Sequence, residues 1–455
     1  MNPTKTDTLF VSTEDFIPQF YLLSITNILS NLIIPLVGLV DAALLGKLPD
    51  IDNLAGVLLA TILFEYIYQL FPCLRSATNA MTAQAVGEDD SQAIALTLYR
   101  NGIVALSIGV LIVVLQFPLQ TVGFALLNPA PEVKDAAIAY FNTRIWGAPA
   151  VALNYVLIGW FLGQQKNFTN LLLSCVVNGI NILLAYLIIV QLGLESAGAG
   201  IAAAVSQYLA LTIGLIIVFV EIPRKILLST ISQIWNWVAF KATFTFIGNL
   251  LIRYLSFLST LLIFTNLSSA LGVAILIQNG LLLKIIDTSI YIIQGFGYAT
   301  SSFAGIFKGQ GNYQLMKSLI RLSIGTSLLL SSILAFTLVC FPKFIFGLFT
   351  NNLEVVNEIQ SYVIWLIPIL GTLAASFVLE GYFIGLKEGK LLRNTALSAF
   401  SLGFIPMAFV AWYTRSNQIL WLSLWLYFVV IMIVLSTQVS KTLICESTEE
   451  QKFIV

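Results

Sequence analysis

Long apolar runs alternate along this chain with short polar breaks. A helix needs about 20 apolar residues to cross the hydrocarbon of a bilayer. By that measure about twelve spans are predicted, at roughly 16–46, 53–85, 95–125, 135–163, 168–192, 197–220, 238–266, 272–305, 316–347, 355–386, 391–413 and 418–442. The breaks are segments such as Lys47-Leu-Pro-Asp, Gly87-Glu-Asp-Asp, Glu221-Ile-Pro-Arg-Lys, Lys308-Gly-Gln-Gly and Lys387-Glu-Gly-Lys, none of them long enough to form a domain. The period-two alternation of a membrane β-barrel is absent, so the pattern predicts an all-α polytopic membrane protein.

The basic residues orient these spans. With both termini on one side, that side collects Lys5, Arg100, Lys166, Arg224, Lys225, Lys241, Lys308, Lys317, Arg321, Lys387, Lys390, Arg393, Lys441 and Lys452. The other side holds Lys47, Lys134, Lys343 and Arg415. An excess of this kind marks the cytoplasmic side, so both termini are expected there. The polar N-terminus has no basic n-region or small-residue cleavage site, so the first apolar run is expected to stay as a spanning helix.

The chain also repeats itself. Phe117-Pro118 and Gly123 recur as Phe341-Pro342 and Gly347; Glu132-Val133 and Tyr140 recur as Glu354-Val355 and Tyr362. Gly159-Trp-Phe-Leu-Gly163 recurs as Gly381-Tyr-Phe-Ile-Gly385. With an even number of spans in each copy, the repeats are parallel and related by an axis along the membrane normal. The expected architecture is therefore two pseudo-symmetric six-helix lobes. The N-lobe (1–225) would carry the first six spans and the C-lobe (226–455) the last six. Two such lobes around a central cavity suit alternating access. The small-xxx-small spacing of Gly159, Gly163, Gly381 and Gly385 points to close helix contacts rather than chemistry.

Composition narrows the chemistry. The chain has 455 residues, 58% hydrophobic and 10% charged, with zero formal charge, so no polybasic footprint for nucleic acid exists. With no histidine at all, Ser-His-Asp or Cys-His catalysis and His-ligated zinc are excluded. Cys73, Cys175, Cys340 and Cys445 form no CxxC pair and read as buried free thiols. No enzyme, metal or organic cofactor is expected. The partners expected are a small organic substrate and membrane lipids, and the protein is expected to act as a monomer.

The informative residues are the polar groups inside spans. Asp41 lies in the first span, six residues after Pro35, which can bend the helix. An ionised carboxylate at mid-bilayer costs about 2.5–3.5 kcal/mol, so such a residue serves a cavity, a partner or a proton. An interfacial position near the helix end is the alternative. Glu65, midway along the second span, is either a second protonation site or a carboxylate paired with Arg75. Lys284 and Asp287 share a helix face and can neutralise each other; a C-lobe proton site at Asp287, with Gln294 seven residues on, is the other reading. Glu380 could join Arg393 or Lys387 in an inner gate, or be a solvated end charge. Arg253 needs an acidic or carbonyl partner that the sequence does not name. Tyr140 and Asn154 are expected to line the N-lobe cavity, where an aromatic face suits organic cations, with Gln294 as a further cavity residue.

Several ordered motifs resemble one family. Pro35-Leu-Val-Gly-Leu-Val-Asp41-x-x-x-x-Gly46, Arg75-x-x-Thr78-x-x-x-Thr82-Ala-Gln-x-x-Gly87 and Arg144-x-x-x-x-Pro149 resemble the multidrug and toxic compound extrusion (MATE) transporters, in particular their DinF-type branch. So do Gly159-Trp-x-x-Gly163, Asn178-x-x-Asn181, Gln294-Gly-Phe-x-Tyr298-Ala299 and Glu380-Gly-x-x-x-Gly385, and the likeness runs through essentially the whole chain. The resemblance implies a secondary antiporter that exports organic, often cationic or amphipathic, compounds in exchange for H⁺ or Na⁺. It also implies that Asp41 is the main coupling carboxylate.

Two departures bear on the ion. The aspartate usual in the fifth span of this branch is replaced by Ala185, and a threonine often found in the sixth by Ala203. Both would help ligate Na⁺, which needs several oxygens. Asp41 with Asn178 and Asn181 can hold a proton more readily than complete such a shell, so H⁺ coupling is favoured over Na⁺. The aspartate expected near Gln294 is absent, and the one expected at 380 is Glu380. A lipid-linked sugar or polysaccharide flippase of the same superfamily is the nearest rival; it would need Arg75, Arg144, Arg253 and Lys284 gathered in one cleft. A Na⁺-coupled exporter of one metabolite is another. The membrane expected is a bacterial inner membrane, with a plastid envelope as the alternative.

Overall fold

The computed structural model describes residues 16–46, 51–127, 130–347 and 353–453, less the side chains of 34–42, 51, 227, 344, 353–357 and 443–453. No strand occurs among the described residues. Among them, twelve helical runs are long and apolar enough to span a membrane, the number that the hydrophobic pattern predicts. They are α1 (Phe16–Leu45, its apolar window Phe16–Ile33), α2 (Asp52–Gly87), α3 (Ser91–Val114), α4 (Pro131–Gly163), α5 (Asn167–Gln191), α6 (Glu195–Glu221), α7 (Trp237–Leu271), α8 (Val273–Gly309), α9 (Tyr313–Cys340), α10 (Leu366–Gly385), α11 (Gly389–Thr414) and α12 (Asn417–Thr442).

Prolines set the irregularities. A proline cannot donate to the carbonyl four residues earlier, and its ring crowds that carbonyl. The helical ladder of α2 is interrupted over residues 69–71, just before Pro72. In α4 a 3₁₀ turn at Ile145–Gly147 precedes Pro149. In α11 the π-helical stretch Ala399–Phe404 precedes Pro406. The tenth span, predicted as one run from 355, is broken at residues 364–365, four positions before Pro368, into Leu353–Val363 and α10. The third predicted span likewise ends at Val114, and a second helix, Gln116–Leu127, carries Pro118 near its start.

The described residues form two compact units. One contains residues up to Ile28 together with Gly248–Val455; the other is Leu29–Ile247. This division differs from the boundary drawn at 225/226, because it falls inside α1 and inside α7. The cause at α1 is aromatic packing. Phe16 stacks near Phe303 and Phe307, with centroids 6.1 and 5.7 Å away, and Phe20 near Phe296 and Phe303, at 6.2 and 6.0 Å. These rings tie the first half of α1 to α8.

Each unit contains the same helix crossing. In the unit 29–247, α4 lies so close to α2 that a methyl added at Gly163 would sit 2.7 Å from the Asn79 carbonyl oxygen; one at Gly159 would sit closer still to that of Arg75. In the other unit, 222 positions on, a methyl added at Gly385 would sit 2.5 Å from the Ser301 carbonyl oxygen, and one at Gly381 closer still to that of Gly297. Polar contacts repeat as well. Asn154 Nδ2 donates to the Gln207 carbonyl at 2.9 Å, and Ser376 Oγ to that of Phe428 at 3.1 Å. Asn53 on α2 donates to Glu195 at the start of α6 at 3.0 Å. In the second unit, Asn417 at the start of α12, 222 positions on from Glu195, and Asn279 on α8, one turn beyond the counterpart of Asn53, exchange two amide hydrogen bonds at 2.7 and 3.0 Å, and Trp421 Nε1 adds a third bond to Asn279 at 2.9 Å.

Candidate functional site

The polar residues of the unit 29–247 gather on α2, α4, α5 and α6. The side chains of Pro35 and Asp41 lie outside the described residues. Arg75, buried on α2, donates from Nη1 to Asn31 Oδ1 of α1 at 3.2 Å. The proposed Glu65–Arg75 pair is not present among the described residues, and Glu65 is exposed. Helical geometry explains the miss: Glu65 lies before the break at 69–71, which re-aims the segment that carries Arg75.

Asn178 and Asn181 lie on one face of α5. Asn178 Nδ2 donates to the Ser174 carbonyl one turn back, at 2.7 Å. Asn181 is buried; its Nδ2 reaches Ser206 Oγ of α6 only at 3.5 Å, and Ser206 Oγ itself donates to the Ala203 carbonyl at 2.9 Å. Asn181 Oδ1 is buried and accepts no hydrogen bond among the described residues. A buried carbonyl oxygen left without a donor costs about 1–3 kcal/mol, so a hydrogen-bond donor brought to it would be stabilising. Ala185 is buried beside this group, on the same helix one turn on, and offers it no side-chain oxygen.

Tyr140 and Asn154 are committed to packing instead of lining an open cavity. Tyr140 is buried, and its hydroxyl accepts from Arg144 Nη1 and, at 3.4 Å, from Thr61. The Arg144 guanidinium lies 4.7 Å from the Phe64 ring centroid, 5.3 Å from that of Tyr140 and 5.8 Å from that of Tyr68. The aromatic faces that suit an organic cation are thus held by the chain's own cation. Asn154 spends its amide on the carbonyl and side chain of Gln207, both at 2.9 Å.

In the other unit the main finding is a buried ion pair. Arg253 on α7 and Glu380 on α10 are 7% and 6% exposed. Arg253 Nε donates to Glu380 Oε1 at 2.7 Å, and Nη2 to Oε2, so both carboxylate oxygens are taken in a fork. The guanidinium also lies 4.9 Å from the Tyr254 ring centroid. This corrects two readings. Glu380 does not join Arg393 or Lys387 in a gate and is not a solvated end charge. Arg393 instead bonds Asn249 at 3.2 Å and its neighbour Asn394, and Lys387 is exposed. Sequence position misled here, because one turn of α10 before its last glycine still lies under α7. The partner of Arg253 was hidden because it sits 127 residues away.

Lys284 is exposed and Asp287 half-buried, and no ion pair between them is present among the described residues. Three-residue spacing permits such a pair without enforcing it. Gln294 is half-buried on the same helix. Of the thiols, Cys73 is buried as expected, whereas Cys175 and Cys340 are exposed and free. An apolar run in a spanning helix faces lipid as readily as protein, so hydropathy alone does not bury a thiol.

Twelve candidate spans, a repeated helix crossing and buried polar groups on broken helices make the described residues an all-helical polytopic membrane protein. The MatE family model matches residues 27–187 and 245–410, one match in each half of the chain. This chain belongs to the MatE family of transporters. It is 28% identical to the DNA damage-inducible protein F of Escherichia coli (strain K12), over 88% of this chain and 87% of that protein. It is 24% identical to the chloroplastic Protein DETOXIFICATION 45 of Arabidopsis thaliana, over 86% and 72%. A solved outward-facing conformation of a multidrug resistance MATE family transporter of the MOP superfamily shares its fold, with a TM-score of 0.86 at 18% identity, covering 98% of this chain and 99% of that one.

Proposed function

We propose that this transporter exports organic cationic or amphipathic compounds in exchange for H⁺, with Asp41 as the coupling carboxylate and Asn178 and Asn181 as its polar partners. The observation that carries the reading is the buried acceptor Asn181 Oδ1, which has no hydrogen-bond donor among the described residues. A carboxylic acid has one donor to offer such an oxygen, and a carboxylate has none. Protonating Asp41 therefore changes what this part of the unit can bind. Substrate and proton each favour a different state, and coupling follows from that difference in affinity. Ala185 and Ala203 remove two side-chain oxygens that a hard ion would use, which supports H⁺ over Na⁺. Export by alternating access, a bacterial inner membrane, cytoplasmic termini and a monomeric unit complete the reading.

The flippase alternative is disfavoured by the basic residues. Arg253 is neutralised by Glu380, Arg144 is held over aromatic rings and hydrogen-bonded to Tyr140, and Lys284 is exposed. Three of the four candidate cations are thus already engaged or exposed, which argues against a pyrophosphate cradle built from them.

The test is export of a fluorescent organic cation from proteoliposomes, driven separately by a pH gradient and by a Na⁺ gradient. Transport driven by the pH gradient alone is expected. Asp41→Asn should reduce it to the rate of empty vesicles, and Asn181→Ala should slow it without abolishing it. Transport that needs Na⁺ would overturn proton coupling, and an Asp41→Asn protein with full activity would remove Asp41 from the mechanism.

A further inference from the structure

The segment between α6 and α7 is not used by the transport reading. It leaves one span at Glu221 and enters the next at Trp237, so both of its ends are fixed at the membrane surface. It contains a short helix, Arg224–Ile231. One face of this helix is turned to the protein: Thr230 is fully buried, and Ile226 and Ile234 are partly so. Arg100 of α3 fastens the end of the segment by donating to the carbonyls of Gln233 at 2.8 Å and Ile234 at 3.4 Å.

The opposite face is open: Leu228 and Ile231 are exposed on it, Arg224 stands at its start, and Trp235 follows in the turn beyond the helix. Leu228 is 68% exposed and Trp235 75% exposed, and Trp237 and Val238 continue the patch into α7. Trp235 and Trp237 each stack near Phe240 with centroids at 6.4 Å, which makes a three-ring aromatic group at the membrane boundary. Indole rings favour that level of the bilayer. The charges around the patch have one sign. Arg224, Lys225 and Lys241 are exposed and form no ion pair or hydrogen bond among the described residues. From Ile222 to Ile286 the sequence contains no acidic residue.

An exposed apolar patch of this kind needs a cover. We propose that the inter-span segment is an interfacial helix that binds anionic phospholipid. Leu228, Ile231, Trp235 and Trp237 would enter the headgroup–acyl boundary, and Arg224, Lys225 and Lys241 would engage the phosphates. An amphipathic helix with a basic rim binds membranes by these two terms together. The segment ties the bundle to the lipid surface, so the charge of the leaflet acts on the protein through it.

The test uses the full-length protein in detergent, titrated with dioctanoyl phosphatidylglycerol, dioctanoyl phosphatidylcholine or inorganic phosphate, with thermal unfolding as the readout. Phosphatidylglycerol should raise the unfolding temperature at lower concentration than phosphatidylcholine, and inorganic phosphate should not raise it. In an Arg224→Gln, Lys225→Gln, Lys241→Gln protein the midpoint for phosphatidylglycerol should move up by on the order of a hundredfold, since each basic residue near an anionic surface contributes about fivefold. Equal midpoints for the two lipids, or an unmoved midpoint in the triple variant, would overturn the proposal. A response to inorganic phosphate equal to that of phosphatidylglycerol would also overturn it, because the site would then be one for the free anion. A second readout does not depend on the variant's stability. In nanodiscs, the emission lost in Trp235→Phe/Trp237→Phe should be quenched by a shallow lipid-borne nitroxide. Quenching by aqueous iodide alone, or protection from both quenchers through self-association, would show that lipid does not cover this face.

Discussion

Arg253→Ala and Glu380→Ala are each expected to cost this protein about 3–5 kcal/mol of stability, because either change strands an uncompensated charge in a site that excludes water. Both residues are buried, and the fork consumes both carboxylate oxygens, so neither partner can turn to solvent when the other is removed. The double replacement Arg253→Met/Glu380→Leu should recover most of that loss, since apolar side chains of similar volume replace a buried pair at little cost. Thermal unfolding of the purified protein measures all four states of the cycle. Two single variants that unfold at the wild-type temperature would mean that water reaches the pair. The result also separates structure from transport: a double variant that regains both stability and proton-driven export would assign the pair to holding α7 against α10. A stable double variant that has lost export would give the pair a part in the transport cycle.

What the sequence made legible depended on the range of the interaction. Hydrophobic run length is a local property, and twelve spans follow from it alone. The Gly159/Gly163 and Gly381/Gly385 spacing was equally legible, because close approach at one-turn intervals selects the same residue type each time. Pairings between distant spans were not. Nothing near Arg253 in the chain marks Glu380 as its partner, and the proximity of Lys387 and Arg393 to Glu380 pointed to the wrong bonds. Lys284 and Asp287 show the opposite error, in which favourable local spacing produced no contact. The Tyr140 ring, expected to line a cavity for an organic cation, instead faces the chain's own Arg144, only four residues away on the same helix. The buried acceptor Asn181 Oδ1 could be located only once α6 was seen to bring Ser206 short of a good bond.

Gly159→Val and Gly381→Val are expected to destabilise the protein more than any other single-glycine change at a described position of α4 or α10. Each substituent would be driven into a backbone carbonyl, that of Arg75 or of Gly297, and a backbone atom inside a packed helix cannot turn aside as a side chain can. Overpacking of this kind costs about 1–3 kcal/mol where the neighbours can shift, and more where they cannot. Gly325→Ala and Gly371→Ala are the controls, because a methyl at either position meets nothing within 4 Å. There alanine should leave the unfolding temperature unchanged or raise it, since it is the better helix former by about 1 kcal/mol. Gly159 and Gly381 belong to different compact units and face different carbonyls. Their effects should therefore add to within about 0.3–0.5 kcal/mol in the double variant. If the double variant were no less stable than either single one, the two crossings would not be independent copies of one contact. In that case the glycines would owe their recurrence to motion, with small residues kept so that α4 can slide on α2, and α10 on α8, during the transport cycle.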